Sequence, residues 1–247
     1  MKIAEGIAAL PIEMNFMGNS SVIYPTLLWD EDNIVLVDTG TPGMLPGIRT
    51  EIGRAGVDFD KLNTVILTHQ DIDHIGSMPE IAAAAKQPLL VLAHEEDRSS
   101  IEGDRPFVKF NRERFGPRLA AAPEAARKRL EYLLDNPPTS KISRIVSDGE
   151  LLPYAGGVTV IFTPGHTPGH ICLYHHASQT LIAADELNIA DGRLSGPSPG
   201  ATPDMETALR SLAKLASFEI RTIISYHGGV LSDNAGGQLT DLIASHV

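Results

Sequence analysis

The stretch Thr68-His69-Gln70-Asp71-Ile72-Asp73-His74-Ile75-Gly76 packs two imidazoles and two carboxylates into six residues. It follows the apolar run Thr64-Val65-Ile66-Leu67-Thr68, which reads as a buried strand. Strand ends are where open α/β architectures place their sites. Two carboxylates crowded beside two imidazoles repel each other and lose hydration, and a divalent metal ion removes that cost. The bland alternative is a solvated polar loop. Two histidines do not complete a metal shell, so the chemistry needs remote ligands. Three residues offer themselves at the ends of other apolar runs. His166 lies in Thr163-Pro164-Gly165-His166-Thr167-Pro168-Gly169-His170, where Pro and Gly make a tight, rigid loop. Asp185 follows Leu181-Ile182-Ala183-Ala184. His227 follows Tyr226 and precedes Gly228-Gly229, which permit close backbone approach. Each of these alone reads equally well as a turn residue. Three together at strand ends point to one site.

The elements that must position these residues are short strands and helices in mixed order. Ser21–Tyr24 and Thr26–Trp29 read as one strand interrupted by Pro25, and Ile34–Val37 as a continuous apolar strand ending at Asp38-Thr39-Gly40. A helix is expected near 46–55 with Gly56 as its stop, and another over 79–86. Pro88–Ala93 reads as strand, and from His94 to about Asp135 the pattern turns helical, with Ala126, Leu130, Leu133 and Leu134 on one face. Strands are then expected at Val158–Phe162, Ile171–Tyr174, Thr180–Ala184 and Arg221–Tyr226, with a helix over 203–216. Val65-Ile66-Leu67-Thr68 before His69 resembles Val160-Ile161-Phe162-Thr163 before His166, a faint sign of two similar halves. The 247 residues suit one α/β domain, and no linker interrupts them.

Composition narrows the partners. The formal charge is −11, so the long-range field repels polyanions and nucleic acid is not an expected partner. No apolar run approaches the ~20 residues of a membrane span, and the first residues do not form a signal peptide, so neither membrane association nor export is expected and the location expected is cytoplasmic. The single cysteine, Cys172, sits in an apolar run and reads as a buried strand thiol. His94, His175, His176 and His246 read as surface or hydrogen-bonded structural residues.

The order of these motifs resembles the metallo-β-lactamase-fold superfamily, whose signature is a His-x-His-x-Asp-His loop followed by a separate His, Asp and His. The resemblance runs from Asp38-Thr39-Gly40 to His227-Gly228. It implies an αβ/βα sandwich of two mixed sheets flanked by helices, with the site along one edge. It further implies one metal on His69, Asp71 and His166, a second on Asp73, His74 and His227, and Asp185 between them. Asp38 would support the ligands from behind, a plain strand-terminating Asp being the other reading. His170 reads as a surface or hydrogen-bonded structural residue that lies close enough to the motif to act as a donor behind them. A hydroxide between two divalent ions would be the nucleophile, with Asp73 orienting it. One position departs from the signature: Asp71 stands where the second His is usual. A carboxylate there accepts zinc, the first expectation, and also manganese or iron.

The implied activity is hydrolysis of a small ester, lactone or thioester. Flavodiiron proteins of the same fold carry Glu at the position of Asp71, so a di-iron redox protein is an alternative, as is a phosphodiesterase or nuclease. Related lactonases commonly carry Tyr three residues after the bridging Asp; this chain has Asn188 there, an amide able to hydrogen-bond a substrate carbonyl. The insertion over 94–135 is a candidate lid, with Phe107, Phe110, Arg112, Arg114, Phe115 and Tyr132 to hold an apolar group and an anion. The other reading of that insertion is an ordinary helical layer with solvated arginines. Oligomeric state is not legible.

Overall fold

The computed structural model describes residues 1–16, 19–121 and 123–246. The chain opens with β1 (Lys2–Ala4), β2 (Ile7–Ala9), β3 (Ile12–Phe16), β4 (Asn19–Ile23), β5 (Thr26–Trp29) and β6 (Ile34–Val37). There follow α1 (Leu45–Arg54), β7 (Thr64–Ile66), α2 (Ile72–Ile75), α3 (Met78–Ala84), β8 (Leu90–His94) and α4 (Glu95–Ile101). Next come α5 (Arg112–Ala121), α6 (Glu124–Asp135), β9 (Arg144–Val146), β10 (Leu151–Leu152), β11 (Val158–Phe162), β12 (Ile171–His175) and β13 (Thr180–Ala184). The chain closes with β14 (Asn188–Ala190), β15 (Arg193–Ser195), α7 (Met205–Leu215), β16 (Thr222–Ser225), β17 (Gly229–Leu231) and α8 (Ala235–Ala244).

Two mixed sheets result. One has the order β1-β2-β5-β6-β7-β8-β9 and the other β10-β11-β12-β13-β16-β17. Side-chain alternation explains how they stack, because successive residues of a strand face opposite sides. Val35 and Val37 of β6 meet Val160, Leu173 and Ile182 of the other sheet, while Leu36 between them faces the helical layer with Ile48 and Ile52 of α1. On the far side, Cys172, Leu181 and Ile223 pack against Leu212 and Leu215 of α7 and Leu239 of α8. Cys172 is fully buried, as its sequence setting predicts. Each such aliphatic side chain contributes roughly 1.5–3 kcal/mol on burial. The layers are therefore helix, sheet, sheet, helix, the expected sandwich.

Two expectations need correction. Residues 21–29 are not one strand: β4 pairs with β3 in a separate hairpin, and β5 joins the seven-stranded sheet. Pro25 has no N–H to continue a ladder, and its carbonyl instead accepts from Leu10 N at 2.8 Å. The insertion is not one helical stretch either. Between α4 and α5 the chain leaves the helix over 102–111, where Gly103 takes a φ of +86° and Pro106 follows. That irregular segment lies over the ligand loops. Among the described residues no helix is long and apolar enough to cross a membrane.

Candidate metal centre

β6 and β7 are parallel neighbours in register Val37↔Ile66, so their C-terminal ends deliver Asp38 and Thr68 side by side. Asp38 takes a left-handed turn at φ +63°, a conformation Asp tolerates better than most side chains. Its carboxylate accepts from Thr68 N at 2.8 Å and Thr68 Oγ1 at 2.7 Å, and meets His74 Nδ1 at 2.8 Å. Nδ1 of His74 thus carries its proton towards Asp38, and Nε2 is turned to the sheet edge. Thr68 Oγ1, having donated to Asp38, accepts from Nδ1 of His69 at 3.0 Å, so His69 also aims Nε2 outward. The backbone of the same loop is pinned by Thr39, whose N–H and Oγ1 both donate to the carbonyl of His74.

The second sheet supplies the rest. At Gly165 the φ is +134°, and a Cβ there would lie 2.3 Å from Ala208 N of α7. Glycine is required, and the close approach sets the direction of His166. Nδ1 of His166 lies 3.2 Å from Thr202 Oγ1, and Nε2 lies 3.1 Å from both Asp71 Oδ2 and Asp185 Oδ2. His170 donates from Nδ1 to Thr163 Oγ1 at 2.8 Å and accepts from the backbone N–H of Asp185 at 3.3 Å, holding the turn that presents Asp185. His227 is 29% exposed, and its Nε2 lies 3.2 Å from Asp73 Oδ2 and 3.5 Å from Asp185 Oδ1. Behind it, a Cβ on Gly228 would fall 2.5 Å from the backbone of Ile189, the close approach expected of that glycine.

All seven expected ligands therefore meet. His69, Asp71, His166 and Asp185 form one group, and Asp73, His74 and His227 another, with the potential ligand atoms of each within 4.8 Å of one another. Asp185 reaches both, through Oδ2 to His166 and Oδ1 to His74 at 3.3 Å. Asp38 holds His74, and His170 holds the turn of Asp185, from behind these candidate ligands. Asn188 lines the same cavity, but its Nδ2 donates to Gly196 O at 3.0 Å and steadies the β14–β15 hairpin.

Electrostatics show how unsatisfied this arrangement is on its own. Burial disfavours charge on His74 and His227, yet the carboxylates of Asp185 with Asp38 around the first and Asp185 with Asp73 around the second raise them to about 10 and about 11. Burial likewise opposes ionisation of Asp185, but His227, His74 and His166 hold it well below the usual carboxylate range. Burial and the neighbouring His74 push His69 the other way, well below the ordinary histidine value. Nε2 of His69, Nε2 of His74 and Oδ1 of Asp185 are buried without a hydrogen-bond partner among the described residues. Buried polar atoms are rarely left so. Lone pairs of nitrogen and oxygen converging from both sheets are the donor set of a divalent cation, and these residues fit one.

Four participants were not legible as such in the sequence. Tyr226 lies against His74 with ring centroids 3.8 Å apart; its hydroxyl donates to the carbonyl of Asp73 at 2.5 Å and accepts from Gly40 N. Burial, with Asp38 and Asp73 nearby, raises its phenol well above the usual range and keeps it a donor. Asp97 is fully buried in α4 and accepts from Gln70 N and Nε2, Thr167 Oγ1 and Gly169 N, clamping the two ligand loops together. Thr202 orients His166. Lys109, in the irregular segment of the insertion, places Nζ against Asp71 and His166. One of them carries a signal after the fact: Tyr226 abuts His227 in sequence.

Over the ligands lies a cavity of about 500 Å³, walled by Met14, Ile72, Phe110 and Phe115 and floored by Asp71, Asp73, His166, Asp185 and His227. Residues 16–227 match the Metallo-beta-lactamase superfamily. The chain belongs to that superfamily. Among its superfamily relatives is the probable metallo-hydrolase YflN of Bacillus subtilis, 28% identical over 97% of this chain and 90% of the relative. The N-acyl homoserine lactonase AiiA of Bacillus thuringiensis subsp. kurstaki is 26% identical over 76% of this chain and 73% of its own. A solved metallo-beta-lactamase family protein from Thermus thermophilus superposes with a TM-score of 0.72 at 25% identity, covering 99% of this chain and 80% of that one. These likenesses bear out the superfamily fold and its metallo-hydrolase character.

Proposed function

We propose that the protein is a two-metal hydrolase acting on a small ester, lactone or thioester. The observation that carries this reading is the pair of adjacent ligand groups sharing Asp185 on the floor of a partly apolar cavity. Divalent ions, when bound there, would supply a hydroxide nucleophile at neutral pH and polarise the scissile carbonyl. His69, Asp71 and His166 would hold one ion and Asp73, His74 and His227 the other, with Asp185 placed beside both groups. The chain's own groups do the rest. Asp73, at the mouth of the second group, orients the attacking water. Asp38 and Thr68 keep the imidazoles in the tautomer that offers Nε2. Phe110 and Phe115 of the insertion cover the cavity and hold the apolar part of the substrate, which makes the insertion a lid. The second N–H of the Asn188 amide is left to donate to a substrate carbonyl. The relative named as an N-acyl homoserine lactonase supports the lactone end of this substrate range.

Zinc is the ion of first choice, and the carboxylate of Asp71 also suits manganese or iron. That carboxylate is the one observation favouring a di-iron redox role as the second reading.

The test is hydrolysis of a panel of lactones, thioesters, carboxylic esters and phosphodiesters, before and after chelation. The reading expects at least one carbonyl substrate to be turned over, with the rate falling at least ~100-fold on chelation and in His166→Ala. Full activity in both would defeat it. Turnover of phosphodiesters alone would replace the substrate class.

A further inference from the structure

Lys109 is not one of the expected ligands, yet its ammonium lies inside the first ligand group. Nζ contacts the carboxylate of Asp71, lies 2.6 Å from His166 Nε2 and donates to Ala201 O at 3.0 Å, and the side chain is only 13% exposed. These are the same carboxylate oxygen and the same imidazole nitrogen that the metal reading assigns to an ion. One lone pair on His166 Nε2 serves one cation at a time, and two cations that close repel.

The lysine is also held in place. The N–H of Val108, one residue earlier, donates at 2.7 Å to Oε1 of Gln70, which lies between His69 and Asp71. Gln70 is in turn fixed by Asp97 through its N–H at 2.9 Å and its Nε2 at 2.7 Å. The insertion is thus fastened to the ligand loop at the point where the ammonium enters. The second group differs. Among the described residues no lysine or arginine forms an ion pair with Asp73 or Asp185, whose partners are His74, His166 and His227.

We propose that Lys109 is a tethered cation that competes with a metal ion for the His69–Asp71–His166 group. The Asp73–His74–His227 group then fills first, and the first group accepts an ion only as Lys109 withdraws into the cavity. Occupancy of the site and the position of the insertion become one equilibrium, since a ligand that needs Lys109 displaced favours the displaced conformation. The proposal rests on the metal reading above.

The test titrates zinc alone into chelator-stripped full-length protein and its Lys109→Met and Lys109→Arg variants, following ions bound per chain by calorimetry and equilibrium dialysis. The wild type should bind one ion tightly and a second at least ~10-fold more weakly. Lys109→Met should tighten the weak step by about that factor and leave the strong one unchanged, whereas Lys109→Arg should keep the gap. Two equivalent ions in the wild type, or a second affinity unaltered in Lys109→Met, would overturn the proposal while leaving the metal site standing. Absence of binding in every form would overturn both. A measurement on the wild type alone guards against a variant that folds poorly. Acylation of Lys109 by an amine-specific reagent, read by peptide mass spectrometry, should rise during the second equivalent of zinc. Labelling that is unchanged, or complete within the first equivalent, would refute the competition.

Discussion

Asp38 shows how much of the centre depends on one carboxylate that touches no substrate. It binds Thr68 N and Thr68 Oγ1 and sets the Nδ1 proton of His74. Asp38→Asn keeps an oxygen for Thr68 N and a side chain that accepts the left-handed turn. Its amide N–H₂, however, must face His74 Nδ1 as a donor, which moves the imidazole proton to Nε2 and removes the lone pair aimed into the site. The variant should fold normally by circular dichroism and bind zinc at the Asp73–His74–His227 group about 10–100-fold more weakly by titration. Acidity gives a second expectation. His74 and His227 are raised from 6.5 to about 10 and about 11, so in chelator-treated protein they contribute stability that is full below pH 6.5 and lost as pH rises towards those values. Asp71, Asp73 and Asp185 lie below their ordinary value of 3.8, so their contribution is present above that pH and lost in acid. Burial holds His69 and His170 well below 6.5, so their contribution is lost as pH falls through that value, and melting temperature against pH, with chelator, should peak near 6.5. Excess zinc should move the maximum upward, because protons and zinc compete for the same Nε2 atoms. A chelated protein growing steadily more stable from pH 6.5 to 9 would contradict the assignment. The candidate ligands were legible because His and Asp at strand ends announce lone pairs wherever they meet. Lys109 and Asp97 were not. Their roles arise only where the insertion folds back onto the two loops, and nothing in their local sequence separates them from solvated charges.

At the scale of elements, long apolar runs such as Ile34–Val37 and Thr180–Ala184 declared themselves, since a buried strand needs no alternation. The two- and three-residue strands β1, β2, β9, β10, β14, β15 and β17 did not, because their pairing is fixed by a remote partner's backbone rather than by a pattern of their own. Helix α8 begins Ala235-Gly236-Gly237, and its two glycines are poor helix formers, so its place comes from packing Leu239 into the second sheet's outer core. Pro25 misled because a proline within one strand and a proline between two strands look alike until the pairing is known. The loop carrying His166 makes a testable case. At Gly165 a methyl group meets the backbone of Ala208 at 2.3–2.6 Å in a conformation that side chains avoid. Gly165→Ala should push α7 and the loop apart, lowering the melting temperature by several degrees. Binding at the group containing His166 should weaken by more than binding at the group containing His227. Equal loss at both would mean that the loop is not a local support.

At the scale of the molecule, two sheets meet face to face so that the ends of β6, β7, β13 and β16 open along one edge. Asp38, the His69–His74 loop, Asp185 and His227 all sit there, with His166 reaching over from the loop between β11 and β12. The formal charge of −11 favours cations at that edge and disfavours polyanions. The most direct measurement is anomalous diffraction from crystals grown with saturating zinc, collected on both sides of the zinc absorption edge. Two peaks should appear about 3.5–4 Å apart, one bounded by His69, Asp71 and His166, the other by Asp73, His74 and His227, with Asp185 touching both. A single peak shared by all seven residues, or none at this edge, would contradict the account of a two-metal hydrolase.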